Sequence, residues 1–448
     1  MYFIVMEVAS QNFALKGDIA YSKTQTRLET FENSYLVCEK GKSAGVFPRL
    51  PEAFAGFPLI DYTGRLILPG LTDLHMHAPQ FSFRSLGMDL ELLSWLEKHA
   101  FPEEAKYRDA EYARLAYGLL TEHLKRSPNT RFCIFATIHV PATVILMDLL
   151  EESGLVSMVG KVNMDRNSPD ILREADAETS AAATREWLTA LADRNYKNTY
   201  PILTPRFIPS CSDDLMAALA RIQKHCAAAH SPRALPLQSH LSENQREIAW
   251  VRELCPEAGC YGDAYARHDL FGAEIPTIMA HCVWSGEEEL RLMRSRGVYI
   301  AHCPQSNLNI SSGIAPVRRF LDMGIPTGLG SDVAGGVHTS IFRAMTDAIG
   351  VSKLRQCLVA KDEAPITFEE AFWMGTLGGG SFFGKAGLPG NAGATGSFDP
   401  GYEFDALVID DADLAAPFSL SVEERLRRTV YLSDDRHIVA KYVRGNLI

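Results

Sequence analysis

Two histidines stand one residue apart in the stretch LPGLTDLHMHAPQF, at His75 and His77. Residues two apart on a strand project to the same side, so the pair presents two imidazoles together at the end of an apolar run. Two neutral imidazoles make half of a zinc site, which draws on nitrogen, sulfur and oxygen donors. By itself such a pair is common by chance and reads more simply as two exposed or core histidines bonded to the backbone. Four further β-type runs change that balance, because each ends in a ligand or proton carrier. His240 lies in QSHLSE, His281 in MAHC, His302 in IAHC and Asp332 in GSD. Core histidines on unrelated strands have no reason to collect at successive strand ends. A metal centre gives them one.

These groups can meet only if their strands are neighbours. The β-type runs are RLILPGLTDLHMH, RFCIFATIH, LVSMVGKVNMD, YPILTPRF, LPLQSHLSE, PTIMAHCVW, VYIAHCP and PTGLGSD. Helical patterns fill the gaps, as in LMAALARIQKHCAAA with apolar residues at three- and four-residue spacing. Eight runs alternating with helices predict an α/β fold, a closed parallel (β/α)8 barrel, whose active site sits at the C-terminal ends of its strands. Before the barrel come short β runs, YFIVMEVA, GDIAYS and SYLVCEKGKSAGVF, with a hairpin loop expected over Gly41 to Gly45. After it, the Gly-rich stretch GLPGNAGATGSFDPG reads as a linker into YEFDALVID and HIVAKYVRGNLI. The expected division is therefore a small β domain built from residues 1–66 and 391–448 around a barrel of residues 67–390.

Composition excludes several function classes. The 448 residues are 46% hydrophobic and 22% charged, which describes a globular chain with a large core. The net charge of -11, with Lys and Arg scattered, argues against nucleic acid or an anionic membrane as partner. Nine cysteines without a CxxC pair fit reduced thiols in the cytoplasm rather than a disulfide framework. The start MYFIVMEVAS lacks a basic region and reads as a strand rather than a signal peptide. The long apolar window RFCIFATIHVPATVILMDLL is interrupted by Arg131, His139, Pro141 and Asp148, and is not expected to span a bilayer.

The order HxH, His, His, Asp on successive strands resembles the amidohydrolase superfamily of metal-dependent hydrolases, and the resemblance covers nearly the whole chain. Within it, HAPQ, TPRF, QSHLSEN, MAHC, AHCPQSNL and GLGSDVAGG are similar to the guanine deaminase branch. That resemblance implies one Zn2+ per subunit, with Fe2+ the alternative, held by His75, His77, His240 and Asp332. It also implies hydrolysis of guanine to xanthine and ammonia, and a homodimer. Binuclear branches carry a bridging lysine at the end of strand four. Here that strand ends in Arg206, and Lys161 belongs to strand three, so a single metal is expected. The H-x-E and P-C-x-x-C signature of the other zinc deaminases is absent.

Deamination needs a proton carrier besides the metal. Glu243 follows His240 by three residues, and on spacing alone it reads equally as a carboxylate beside the water or as a cap of the helix begun by SENQRE. The resemblance favours the catalytic role, gives His281 the task of hydrogen-bonding the water, and lets Asp332 both bind metal and accept a proton. His302 is expected to be structural rather than a ligand. The substrate-binding group is read from Gln80, Arg206 and Phe207, together with His240 and Glu243. Gln80 can donate and accept, Arg206 only donates and suits a carbonyl oxygen, and Phe207 offers a ring for stacking. Arg206 could instead pair a structural carboxylate, and Phe207 could be core. His139, Asp165 and the Asn307 loop are weaker pocket candidates, and MDLELLSWLEKHAF reads as helix core or pocket lid. Two rivals stand beside guanine: a related amidohydrolase acting on another oxo-purine or pterin-like ring, and a catalytically inactive scaffold.

Overall fold

The computed structural model describes residues 11–229, 235–386 and 393–448. The expected strand in YFIVMEVA lies outside the described residues. A seven-stranded sheet draws on both ends of the chain. Its strands are β1 (Phe13–Thr24), β2 (Arg27–Glu39), β3 (Lys42–Phe47) and β4 (Leu59–Pro69), then β15 (Ala406–Ile409), β16 (Ile438–Val443) and β17 (Asn446–Leu447). They lie in the order β17-β16-β15-β4-β1-β2-β3, with β1 and β4 parallel and the other pairs antiparallel. The turn between β2 and β3 is tighter than the predicted loop. It is made by Lys40 and Gly41, both at positive φ, while Gly45 sits inside β3 beside a bulge.

RLILPGLTDLHMH predicts one strand, and the chain makes two. β4 ends at Pro69 in the small sheet, and β5 (Leu71–His77) opens the barrel. Gly70 at the break packs so tightly on Thr130 that an added Cβ would lie 2.3 Å from the threonine hydroxyl oxygen. Both halves are apolar and extended, so periodicity does not mark the joint. Tertiary contact does.

The barrel staves follow in order. They are β5, β6 (Asn129–Phe135), β7 (Val156–Gly160) with β8 (Val162–Asn163), and β9 (Thr199–Pro201) with β10 (Thr204–Pro205). The remaining four are β11 (Leu237–Leu241), β12 (Thr277–His281), β13 (Tyr299–His302) and β14 (Thr327–Leu329). All pairings within β5–β9 and within β11–β14 are parallel. A parallel bridge between Leu203 and Leu237 joins the two halves. The ring closes beyond β14, where Asp332 N–H donates to His75 O at 2.8 Å and His77 N–H to Val333 O at 3.0 Å. Strand residues such as Phe132, Ile134, Met158 and Val159, and Leu237, Met279, Ile300 and Leu329, are buried, as expected of a parallel sheet covered by helices.

The small sheet grips the barrel near the start of β6. Arg131, fully buried, pairs with Asp405 at 2.6 Å and Glu403 at 2.8 Å. Lys441 donates to the carbonyls of Leu124 and Asn129, each at 3.1 Å. These groups belong to the N-terminal ends of the strands, opposite the face that carries the histidines, where fixed residues serve stability. Part of the Gly-rich linker, residues 387–392, lies outside the described residues. The rest packs down, with Thr395, Ser397 and Phe398 buried.

Candidate active site

At the C-terminal ends of the strands, ring nitrogens of His75, His77 and His240 lie within 4.8 Å of one another, all buried. Asp332 Oδ1 stands 3.2 Å from His75 Nε2 and 3.5 Å from His77 Nε2, and Nε2 of His77 and of His240 face each other at 3.1 Å. His240 Nδ1 faces the carbonyl oxygen of Arg206 at 2.6 Å. A carbonyl can only accept, so that nitrogen carries the proton and Nε2 turns a lone pair toward its neighbours. Burial, then the neighbouring imidazoles, holds His77 and His240 well below the ordinary histidine pKa. Burial would raise Asp332, but the surrounding imidazoles outweigh it and keep the carboxylate ionised. His75 Nε2 is buried without a hydrogen-bond partner. Neutral imidazoles converging beside an ionised carboxylate are the donor set a divalent metal requires, so the residues fit one.

A second set of ligand atoms, from His75, His281 and Cys303, also lies within 4.8 Å. Burial pushes the Cys303 thiol well above its ordinary pKa, so it stays protonated and is the poorer donor. The spacing of AHCP offers no sign of that proximity, because register and not sequence brings Cys303 under β5.

Beside the histidine cluster lies an acid–base pair. Glu243 Oε2 is 3.5 Å from His281 Nε2, and Asp332 Oδ2 is 3.7 Å from the same nitrogen. Burial raises the Glu243 pKa, with His281 partly offsetting it. Burial alone would lower His281, yet the charges of Glu243 and Asp332 raise it above its ordinary value. Asn307 Oδ1 accepts from His281 Nδ1 at 2.9 Å and so aims Nε2 at the two carboxylates. Asn307, which lies in the helix Pro304–Asn309 rather than in a loop, thus orients a site residue and does not itself line the cavity. His281 and Asp332 both adopt positive φ, 71° and 45°, a strained backbone for non-glycine residues that is concentrated at functional sites.

The helix-cap reading of Glu243 is settled by its neighbours. Asn244 caps the helix Gln245–Leu254, with Glu247 completing the capping box. Glu243 precedes the cap, leaving its carboxylate to accept from Ser312 Oγ at 2.9 Å. Glu247 accepts from the backbone N–H of Glu243 and Asn244 and from Tyr261 Oη at 2.7 Å. Burial, then the nearby Glu243 charge, pushes the Glu247 carboxyl up to about 7.

Above these groups a cleft is lined by His77, Gln80, Arg206, Phe207, His240, Glu243, Glu247, His281 and Asp332. Leu92, Trp95, Leu96 and Ile310 supply its apolar wall. The first three come from MDLELLSWLEKHAF, whose lid reading matches this placement, and Leu92 N–H is bonded to Ile310 O at 3.2 Å. Arg206 is not a free cation. Its Nη1 and Nη2 meet Glu104 Oε2 at 2.6 Å and Oε1 at 3.0 Å, and Gln80 Nε2 donates to the same Oε1 at 2.8 Å. Gln80 Oε1 accepts from Ala334 N–H at 3.2 Å. Glu104 has no motif around it, and its pairing across 102 residues is a tertiary event.

Other candidates stand apart. His139 is the N-cap residue of the helix Val140–Ser153, and Asp165 bonds Ser212. Neither lines the cavity. Lys161 is buried against Glu174. His302 is fully buried with neither ring nitrogen bonded, and burial pushes it down to about 3. It is absent from both ligand clusters among the described residues.

The amidohydrolase family profile matches residues 66–448. A guanine deaminase of Dictyostelium discoideum is 38% identical over 394 residues, 87% of this chain and 84% of that one. The guanine deaminase of Homo sapiens is 36% identical over 85% of this chain and 82% of its own. The crystal structure of guanine deaminase from C. acetobutylicum with bound guanine in the active site superposes with a TM-score of 0.91 at 42% identity, covering 98% of this chain and 100% of that one. The chain belongs to the amidohydrolase family and, within it, to the guanine deaminases, hydrolases of ring C–N bonds.

Proposed function

We propose that the chain hydrolyses guanine to xanthine and ammonia with one zinc ion per subunit, ferrous iron being the alternative metal. The observation that carries this reading is the meeting of His75, His77, His240 and Asp332 with the Glu243–His281 pair beneath a cavity lined by Gln80, Arg206 and Phe207. His75, His77, His240 and Asp332 would hold the metal, which when bound supplies Lewis-acid activation of water near neutral pH. Strand four ending in Arg206 and Lys161 engaged by Glu174 support a single ion.

Glu243 takes one proton from water and delivers it to a ring nitrogen of the amidine, then passes the second water proton, first accepted by Asp332, to the departing amine, which leaves as ammonia. Its raised pKa suits both transfers. His281, held by Asn307, donates from Nε2 to the oxygen that adds to the ring, and Asp332 accepts the second water proton. Arg206 donates to the purine carbonyl, Gln80 contacts the ring edge through its remaining N–H, and Phe207 closes on the flat face. The apolar wall of Leu92, Trp95, Leu96 and Ile310 keeps bulk water away and strengthens every polar contact inside.

The setting we propose is a cytoplasmic homodimer. Every described cysteine is free, which suits a reducing compartment, and no helix among the described residues is long and apolar enough to cross a membrane. The dimer rests on the family resemblance.

Ammonia release should be assayed on guanine, adenine, cytosine, 8-oxoguanine and a pterin, with metal content measured on the same sample. Guanine is expected to dominate, with about one metal per chain. Preference for another ring would redirect the substrate assignment, and a metal-free, inactive protein would make the chain a scaffold.

A further inference from the structure

Among the described residues Arg206 is the one arginine or lysine lining the cavity, and its charge is already spent. Glu104 engages it end-on through both oxygens, with the two side chains 2% and 4% exposed. The same carboxylate holds Gln80, whose carbonyl is fixed in turn by Ala334 N–H. The guanidinium Cζ also lies 5.3 Å from the centre of the Phe101 ring. One buried carboxylate therefore orients two pocket donors and cancels the positive charge of one of them. Arg206 has five N–H groups, and two are used on Glu104, so donors remain for a ligand. What does not remain is a net cation. The other groups facing the cavity that can carry charge are the acids Glu243, Glu247 and Asp332 and the imidazole of His281, which sits against Glu243 and Asp332.

We propose that Glu104 is a specificity-determining residue, which makes the donor wall of the pocket electrically neutral so that it takes a neutral oxo-purine and rejects an anionic one. This rests on the guanine reading above. In a cavity shielded from water an uncompensated guanidinium would draw anions strongly, since charge interactions weaken far less there than in solvent. The rejected class includes the reaction's own product. Replacing the ring amine by a second carbonyl lets the anion left by N–H loss spread over two oxygens, so xanthine ionises more readily than guanine. A neutral wall favours guanine over ionised xanthine and speeds product departure. Specificity here is a difference between two affinities, set by the absence of a charge the anion needs.

Glu104 touches neither substrate nor reacting atoms, so its test must separate charge from scaffolding. Inhibition by xanthine and the KM and kcat for guanine should be measured from pH 6 to 9 on wild type, Glu104→Gln and Glu104→Asp, all metal-loaded. Wild type should bind xanthine more weakly as the product ionises. In Glu104→Gln the amide keeps one contact to Arg206 and leaves its charge exposed, so affinity for xanthine at the alkaline end should rise at least about tenfold relative to guanine. Glu104→Asp keeps the charge and should keep the wild-type pH trend, even where a shorter side chain lowers kcat/KM. The same pH trend for xanthine in Glu104→Gln as in wild type would overturn the proposal, whatever happens to stability or kcat. If Glu104→Gln does not fold, loss of the wild-type trend in Glu104→Asp overturns it, and retention supports it. Failure of the wild-type protein to turn over guanine would instead overturn the reading of function, and this proposal with it.

Discussion

His240 and Arg206 are joined at 2.6 Å, imidazole Nδ1 to backbone carbonyl, so one residue orients a histidine of the ligand cluster through its main chain and lines the cavity with its side chain. The proposed metal and substrate subsites therefore share the turn after β10. Movement of that turn disturbs both.

The first consequence concerns the metal. Replacing an outer-shell partner of a metal-bound histidine typically costs about 10–100-fold in metal affinity. His240→Ala removes a nitrogen from the cluster itself and should cost at least as much, taking activity with it. Metal analysis after dialysis checks this. Full retention of the ion would mean that His240 is not a ligand.

Glu243→Gln keeps the shape and the bond to Ser312 but cannot carry a proton. Turnover of guanine should fall by about 10²–10⁴-fold, the usual contribution of a general acid–base group, with metal still bound. Near-normal turnover would take Glu243 out of the chemistry.

Arg206→Ala should injure stability as well as catalysis, because Glu104 is left buried without its partner. Breaking a buried pair on one side costs about 3–5 kcal/mol. Denaturant unfolding of both single variants and of the Arg206→Ala/Glu104→Ala double variant checks it. The double should lose less than the sum, and strict additivity would mean the pair does not interact. Wild type should also prefer guanine to adenine by roughly 10⁴-fold, since a site that donates to a ring carbonyl leaves its donor unpaired against an amine. Equal rates on both would remove Arg206 from the recognition of the carbonyl.

Lys441 gives a stability signature in pH. Burial pushes it down to about 7, with Asp435 partly opposing, whereas an unfolded lysine titrates near 10.4. Between those values the unfolded chain binds the extra proton, so stability from this group is missing below about pH 7 and grows as pH rises. Unfolding free energy of wild type relative to Lys441→Met should therefore climb between pH 7 and 9 by up to about 1.4 kcal/mol per unit. Parallel curves for the two proteins would show that Lys441 is charged in the fold.

Much of this arrangement was legible from residue order. The two-residue period of a strand set His75 and His77 on one side, and the recurrence of His240, His281 and Asp332 at later strand ends pointed to a shared face. Alternating β and α patterns carried the barrel, and the β-rich ends carried the small sheet. These features are written in local periodicity, which a chain displays without knowing its partners. Where one strand ends and the next begins was not legible, since β4 and β5 share one apolar pattern and only the approach of Gly70 to Thr130 separates them. Nor was it legible that Glu243 leaves the helix cap to Asn244. The sequence by itself determined which residues could do chemistry and the order in which the barrel presents them. Tertiary structure alone decided what each one touches, as with Glu104 on Arg206 and Ser312 on Glu243, because partners far apart in the chain meet through packing that no spacing encodes.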